Sequence, residues 1–201
     1  MGHITSHNWK LLMLAGILVS LLGWAGTSEA QTVAGQARAV EATVLGMTTA
    51  LADTGTLGGT SDAREASQLT GSVPSLLTGE ALHATTIGWP DHVASEASLG
   101  SLNLTVAGNG ISADFVMARA LAVLNTAGAG TSSLAGLSIN GMPVVPTGAP
   151  NQTLSLGGLT IVLNEQMPSA GGIIVNALHV RTLDGLTDVV IGSAKAGITL
   201  F

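Results

Sequence analysis

The sequence predicts an all-β protein, an antiparallel β-sandwich of short strands, preceded by a cleavable N-terminal signal helix. Three observations support this prediction. Short runs of Val, Ile, Leu, Thr and Ala recur between Gly, Asn or Pro residues, which is the pattern of many short strands. A hairpin signal near the carboxyl end specifies one strand register. Finally, 46% of the 201 residues are hydrophobic and only 9% are charged, which excludes disorder, since a disordered chain is weakly hydrophobic and strongly charged.

The first element is an apolar run at residues 11–25, which follows Lys10. Small residues around Ala30 offer a cleavage site, so we expect residues 1–30 to be a signal peptide and residues 31–201 to be a single all-β domain. The run has about 15 residues, whereas about 20 are needed to span a bilayer. We therefore predict no transmembrane span after cleavage, with an uncleaved anchor as the alternative. The expected location is extracellular and associated with the cell surface.

The next segments are ambiguous between strand and helix. Residues 33–52 and 114–124 are rich in Ala and Leu, which favour helix, and periodicity alone cannot settle short apolar runs. Strand is favoured, because a pattern of six residues between 104 and 122 recurs between 178 and 196, inside the predicted hairpin. Residues 55–75 and 128–133, rich in Gly, Ser and Thr, are expected to be a long loop and a second flexible stretch.

A short pattern, SLxxLx[LI], occurs three times, at residues 98–104, 133–139 and 155–161. Each copy predicts a bend followed by a strand. The spacing between copies is not constant, which disfavours a regular solenoid.

The hairpin near the carboxyl end is the clearest local signal. Asp184-Gly185 predicts a two-residue turn between strands at residues 173–183 and 186–196. A shift of one residue would lose every favourable cross-strand pair. Those pairs are Arg181 with Asp188, Thr182 with Thr187, Val180 with Val189, and Leu178 with Ile191. Because both faces of this hairpin carry apolar residues, we expect either a second layer on each side or a small-residue face that meets a partner molecule.

Four segments of the carboxyl-terminal half form a distinctive combination. They are Asn151, the run 163–166 (LNEQ), the run 175–180 (VNALHV) and the run 188–196 (DVVIGSAKA). In this combination the sequence resembles the choice-of-anchor P family, exported bacterial proteins whose relatives carry different carboxyl-terminal anchoring devices. The resemblance implies export and cell-surface placement, and it implies no biochemical activity. Residues 197–201 carry no sortase motif and no hydrophobic tail with a basic stop, so we expect free secretion or assembly with neighbours rather than covalent anchoring.

One polar cluster is predicted as a binding patch: Asn164, Glu165, Asn176 and His179. Brought to one surface, these side chains could hold a polar ligand. The alternative is that Asn164 and Glu165 end a strand, where their side chains bond local backbone groups.

Patterns for catalysis, metals and cofactors are weak. Ser193 and Lys195 share a strand face, but no GxSxG turn accompanies them, so we expect no enzyme activity. His83 and His92 each lie near a single acidic residue, and a zinc site needs three or four convergent ligands. Residues 108–110 predict a hairpin turn rather than a dinucleotide loop, since no acidic residue follows about 20 positions later. We therefore expect neither a metal nor a cofactor.

The charge balance bears on partners and function. With 6 Lys and Arg against 12 Asp and Glu, no basic stripe exists to neutralise phosphates, so we expect no nucleic-acid partner. Charges that normally keep strand edges apart are also scarce. The predicted function is a non-enzymatic, exported structural protein of the cell surface or extracellular matrix that self-assembles. The alternative is an adhesin or binding module for a surface polymer. In that case, loops at residues 55–75 and 79–90 would bind the polymer.

Overall fold

The computed structural model describes residues 31–200, and within that range the protein is all-β. Thirteen strands form two antiparallel sheets, and no helix occurs among these residues. The predicted antiparallel β-sandwich is therefore confirmed, and several of its strands, with up to 15 residues, are longer than the short strands expected. The predicted signal helix falls at residues 1–30, outside the described residues.

The two sheets divide the chain by position. Sheet A contains β1 (Gln31–Val44), β2 (Met47–Asp53), β10 (Gln152–Leu156), β11 (Leu159–Ser169), β12 (Gly172–Thr182) and β13 (Thr187–Leu200). Sheet B contains β3 (Ala63–Val73), β4 (Leu77–Gly88), β5 (His92–Val106), β6 (Asn109–Val123), β7 (Ala129–Ala135), β8 (Ser138–Ile139) and β9 (Met142–Pro143). Sheet A has the order β10-β11-β12-β13-β1-β2, and sheet B has the order β3-β4-β5-β6-β8-β9, with β7 also paired to β6. The first and last strands of the described chain, β1 and β13, are neighbours within sheet A.

The segments with ambiguous periodicity are strands. Residues 33–52 lie in β1, β2 and the turn between them, and residues 114–124 lie in β6 and the turn that follows. The expected loop at residues 55–75 is wrong at residues 63–73, because β3 occupies them. The expected flexible stretch at residues 128–133 is also wrong, because most of it is β7. Both strands have a neighbour on one side only, so their polar composition reflects an exposed sheet edge and not a loop.

The carboxyl-terminal hairpin has the predicted register. Its pairs include Arg181 with Asp188, Val180 with Val189, and Leu178 with Ile191. The turn is longer than predicted, because residues 183–186 all lie outside the strands. Leu183 and Leu186 leave the ladder to bond with neighbouring turns: the Leu183 amide donates to the Gly158 carbonyl (2.9 Å), and the Leu186 carbonyl accepts from the Leu45 amide (2.8 Å).

The three SLxxLx[LI] segments share one backbone feature. In each copy the fourth residue has a positive φ: Ser101 (52°), Gly136 (64°) and Gly158 (84°). The predicted bend is confirmed at all three places, although Ser101 lies inside β5 instead of before a strand.

The turn predicted within residues 108–110 is displaced toward the amino terminus. Ala107 and Gly108 adopt positive φ values of 47° and 75°, and Val106 pairs with Asn109 across them. The hairpin is therefore present, but Asn109 and Gly110 already belong to β6.

The core-facing side of the long strands changes near the middle of each strand. In β13, Val189 and Ile191 are fully buried, and so are Ala194 and Ala196. Successive side chains of a regular strand point to opposite faces of the sheet, so regular alternation cannot place both sets in one core. Gly192, between the two sets, has a φ of 63°, and the alternation reverses there.

This reversal occurs at the same level in five strands of sheet A. In each pairing between neighbours among these five strands, one pair of opposed residues is missing from the ladder, and the missing positions line up across β11, β12, β13, β1 and β2. The residues at these positions are Asn164, Ala177, Gly192, Ala39 and Ala52. Every second member has a positive φ: Asn164 (51°), Gly192 (63°) and Ala52 (47°). We call this line the kink row. In sheet B, Ala81 in β4 and Ser101 in β5, with φ values of 48° and 52°, mark a similar reversal.

The kink row explains why both faces of the hairpin are apolar in sequence. Ile173 and Val175 before the row, and Leu178 and Val180 after it, belong to one hydrophobic core. The expectation of a second layer on each side, or of a small-residue face covered by a partner, is therefore wrong. A single core accommodates both sets because the strand changes its inward side between them.

The two sides of the kink row pack differently. On one side, small residues let the sheets approach: Ala37, Ala84 and Ala97 form a buried cluster, and a Cβ added at Gly128 would lie 2.5 Å from the carbonyl carbon of Gly172. On the other side, large aliphatic side chains fill the space, including Leu102, Leu104, Ile111, Leu159, Ile161, Leu163 and Ile191. We call the part of the core packed by small residues the thin half and the part packed by large aliphatic side chains the thick half.

Replacing Gly128 by alanine should lower the free energy of unfolding by about 1–3 kcal/mol, because the methyl group would overlap the Gly172 backbone. Chemical denaturation measures the change. Gly110→Ala is the matched control, since no atom lies within 4 Å of a Cβ there, and we expect a change below about 0.5 kcal/mol. Equal effects of the two substitutions would contradict the close approach of the sheets.

Candidate functional site

Three of the four predicted binding residues come together on the outer face of sheet A. Glu165 lies on β11, and Asn176 and His179 lie on the neighbouring strand β12. Glu165 Oε2 accepts hydrogen bonds from Asn176 Nδ2 (2.7 Å) and His179 Nδ1 (2.7 Å). The predicted set did not include Asp188 on β13, whose Oδ1 lies 2.9 Å from His179 Nε2. His179 is therefore held between two carboxylates.

Asn164 is the predicted residue that stays outside this network. It belongs to the kink row, and its Nδ2 donates to the Gly148 carbonyl (3.0 Å), whereas its Oδ1 accepts from Gln166 Nε2 (3.0 Å). The alternative that Asn164 and Glu165 end a strand is wrong, because β11 continues to Ser169. Through its bond to Gly148, Asn164 links the connection between β9 and β10 to the middle of β11.

The network stabilises a charged pair. Burial by itself disfavours the imidazolium form of His179, but the hydrogen bond and charge of Glu165, followed by those of Asp188, outweigh burial and raise the pKa of His179 above its ordinary value of 6.5. The hydrogen bond from His179 is the main cause that lowers the pKa of Glu165 below 4.5, against the opposing effect of burial. Both shifts favour a carboxylate beside an imidazolium.

The kink row also produces a groove on the outer face of sheet A. Where two successive residues both face the core, the flanking outward residues are three positions apart, as are Arg38 and Glu41 on β1. The resulting cavity has a volume of about 280 Å³. It is lined by Gln36, Arg38, Glu41, Ile174, Asn176, Val190, Ser193 and Lys195. We call it the sheet A groove.

The polar groups of the sheet A groove are unevenly paired. Arg38 Nε donates to Asp53 Oδ2 (2.8 Å), and another guanidinium nitrogen pairs with Glu41. Lys195, in contrast, takes part in no ion pair within residues 31–200. Asn176 Oδ1 is buried and has no hydrogen-bond partner in this part of the chain. The lining of the groove therefore contains a cation without an ion pair, Lys195, and a residue, Asn176, whose buried amide oxygen the described residues do not satisfy.

Ser193 and Lys195 lie on the same outward side of β13, as expected, opposite Asn176 and Ile174. Both ring nitrogens of His179 are bonded to carboxylates, so neither is free to accept a proton from Ser193. Across residues 31–200, no group of three or more His, Cys, Asp or Glu side chains is arranged to hold a metal ion. The chemistry available in the groove is hydrogen bonding and ion pairing.

The recognition loop expected at residues 79–90 is wrong, because β4 extends to Gly88. The remaining connection to β5 is short and ordered. The Trp89 ring stacks on the His92 ring with 4.2 Å between centroids, and His92 Nδ1 lies 2.6 Å from Asp91 Oδ1. Trp89 is 36% exposed, so it caps a strand connection and does not project from a long loop.

Two apolar surfaces lie elsewhere on the sandwich. The first, which we call the apolar knob, consists of Leu45, Met47, Leu183 and Leu186, with exposed fractions from 50 to 78%. These residues lie on and beside two adjacent turns, joined by the hydrogen bond from the Leu45 amide to the Leu186 carbonyl. The second is a cavity of about 490 Å³ on the outer face of sheet B, which we call the sheet B groove. It is lined by Thr85, Ile87, Ala94, Ser95, Glu96, Arg119, Ala120, Leu121, Ala129, Gly130 and Thr131.

Comparison with known proteins identifies no relative: no protein-family model, curated protein or solved structure matches this chain. The resemblance to the choice-of-anchor P family therefore stays a prediction. Residues 31–200 also contain no helix with the length and apolar character of a membrane-crossing segment.

The Glu165–His179 pair should contribute most to stability between about pH 4.5 and 6.5, the ordinary values of the two groups. Because the pKa of His179 is raised in the folded state, its protonation stabilises the fold fully below pH 6.5. This stabilisation is lost as the pH rises through the folded-state pKa of His179. The lowered pKa of Glu165 gives stability that is present above 4.5 and is lost as the pH falls through its folded-state pKa.

Thermal melts measured at increasing pH above 6.5 should therefore show a falling Tm for the natural chain. The same series for His179→Gln should show a flatter dependence, because glutamine carries no titratable proton. Equal slopes for the two proteins would contradict the charged pair.

Proposed function

We propose that this protein is a non-enzymatic structural component of a bacterial cell surface or extracellular matrix, and that its copies assemble head to tail. The observation that carries the proposal is the presence of a protruding apolar surface and a concave apolar surface on one molecule, the apolar knob and the sheet B groove. The signal-peptide pattern at residues 1–30 supports export. The resemblance to exported surface proteins supports the location.

The apolar knob has the properties of a contact surface. Leu45 and Leu183 are 72% and 74% exposed, and their turns are hydrogen-bonded neighbours of one another. A contiguous apolar patch on a soluble surface favours a contact that removes it from water, by about 25 cal/mol per Å² of apolar area. The knob protrudes from the end of the sheet, so a concave partner suits it best.

The sheet B groove provides such a concave surface. Its lining is mainly small or apolar, and Leu121 in its wall is 40% exposed. Its two charged residues, Glu96 and Arg119, pair with each other at 2.5 Å, so they do not require a charged partner. A cavity of about 490 Å³ is large enough to receive apolar side chains from another molecule.

The knob and the sheet B groove lie toward opposite ends of the sandwich. The knob follows Val44, at the end of β1. The groove lies at the level of Ser95 on β5. The Ser95 hydroxyl donates across the core to the Lys195 carbonyl of sheet A (2.6 Å), and Lys195 pairs with Gln36 in the first half of β1. A contact between two different surfaces leaves one of each free, so it continues from copy to copy as a ring or a filament.

Sedimentation velocity of the full chain over a concentration series tests this assembly. We expect oligomers that grow with concentration, and monomers for both a knob variant, Leu45→Ser with Leu183→Ser, and a groove variant, Leu121→Asp. Leu69→Ser is the matched control, because Leu69 is 85% exposed on β3 and belongs to neither surface. This control should assemble like the natural chain.

Mixing the two variants distinguishes head-to-tail contact from a symmetric one. The knob variant keeps an intact groove and the groove variant keeps an intact knob, so an equimolar mixture should form dimers and nothing larger. A natural chain that stays monomeric at high concentration, or a knob variant that assembles normally, would contradict the proposal.

A further inference from the structure

We propose that the sheet A groove is a binding site for a hydroxylated carboxylate, of the size of one uronic-acid unit. This site is separate from the two surfaces proposed for assembly, and its occupation does not depend on them. The inference is based on the unpaired groups in the groove, on the aliphatic side chains in its lining and on its volume.

The first observation is the orphaned oxygen of Asn176. This residue is only 4% exposed, its Nδ2 is already committed to Glu165 (2.7 Å), and its Oδ1 has no partner within the described residues. Leaving a buried acceptor without a hydrogen bond costs about 1–3 kcal/mol. Asn176 lines the groove, so a hydroxyl donor bound there would satisfy this oxygen once the atoms that cover it shift slightly.

The second observation is the unpaired cation of Lys195. The other cation of the groove, Arg38, already contacts the carboxylates of Asp53 and Glu41. Lys195 is exposed, lines the same cavity and faces no carboxylate within the range 31–200. An anionic oxygen on a ligand is the complement that this ammonium group lacks, and such charge-assisted bonds are stronger than neutral ones.

The third observation is the arrangement of the remaining lining. Ile174 pairs with Lys195, and Val190 pairs with His179 on the other side of the kink row, so one aliphatic side chain lines the groove on each side of that row. The hydroxyl of Ser193 and the amide of Gln36 add groups that can both donate and accept. A ligand with one apolar face and several hydroxyl groups fits this pattern.

These features select one class of ligand. An anion without a hydroxyl group, such as chloride or sulfate, would pair with Lys195 but would bring no donor to Asn176 Oδ1, and a neutral sugar would satisfy Asn176 but leave Lys195 unpaired. A hydroxylated carboxylate does both. The volume of about 280 Å³ lies just below the usual range for drug-sized ligands, which limits the ligand to a single sugar-acid unit or the end of a polymer.

Calorimetric titration of the full chain with galacturonate, galactose and trigalacturonate tests the site. We expect saturable binding of galacturonate and no saturable binding of galactose at the same concentrations. Trigalacturonate identifies the source: tighter binding than that of the monomer indicates a polymer, and equal binding indicates a free or terminal unit. Both results support the site.

Two substitutions locate the binding. Lys195→Gln, at an exposed position that should not affect folding, is expected to weaken galacturonate binding by roughly tenfold or more, as the loss of a charged hydrogen bond predicts. Asn176→Leu should also weaken binding. Arg64→Gln is the matched control, because it removes one positive charge from β3, outside the groove, and it should bind like the natural chain.

Three results would overturn the proposal: no saturable binding of either acid, equal binding of galactose and galacturonate, or undiminished binding by Lys195→Gln. None of them would affect the assembly test, whose variants lie outside the sheet A groove.

Discussion

In five neighbouring strands of sheet A the side-chain alternation reverses at one level, and three of the residues responsible, Asn164, Gly192 and Ala52, adopt left-handed φ values. Such a conformation costs roughly 1–2 kcal/mol for a residue with a Cβ, so it persists only where the surrounding packing requires it. The requirement is the core: on both sides of the row, the inward residues of β12 and β13 are buried in one sandwich. The reversal also opens the outer face, where it creates the polar groove beside Asn176.

The kink row accounts for an unusual composition. Large aromatic side chains normally supply much of the packing in a core, but this chain has 3 Trp, 2 Phe and no Tyr. In the thin half of the sandwich, alanine and glycine bring the sheets close, and the Ser95 hydroxyl bonds both Thr86 Oγ1 (2.7 Å) and the Lys195 carbonyl (2.6 Å). Close approach and hydrogen bonds between sheets thus replace bulky side chains there, while Leu and Ile fill the thick half.

The sequence predicted the features that depend on residues close together along the chain, such as the carboxyl-terminal hairpin. The register of β12 and β13 follows from one turn and its complementary pairs, such as Arg181 with Asp188. Glu165 reaches Asn176 and His179 through a different register, that of β11 with β12, for which the sequence offered no comparable turn signal. The kink row could not be predicted, because Ala52 and Asn164 carry no obligatory signal for a positive φ, unlike glycine in a turn. The sheet A groove was missed for the same reason, since it exists only where Arg38 and Glu41 are separated by two inward residues. Polar strand β3 was predicted as a loop because an edge strand with few apolar contacts resembles a loop in composition.

Thiol labelling of single-cysteine variants tests the reversal most directly, because the natural chain contains no cysteine. Val189 and Ala194 are fully buried, whereas Lys195 is exposed. We expect Val189→Cys and Ala194→Cys to be protected in the folded protein, and Lys195→Cys to react with the reagent rapidly. A strand with regular alternation would bury positions 189 and 195 together and expose position 194. Rapid labelling at 194 with protection at 195 would therefore contradict the kink row and the two-part core that depends on it.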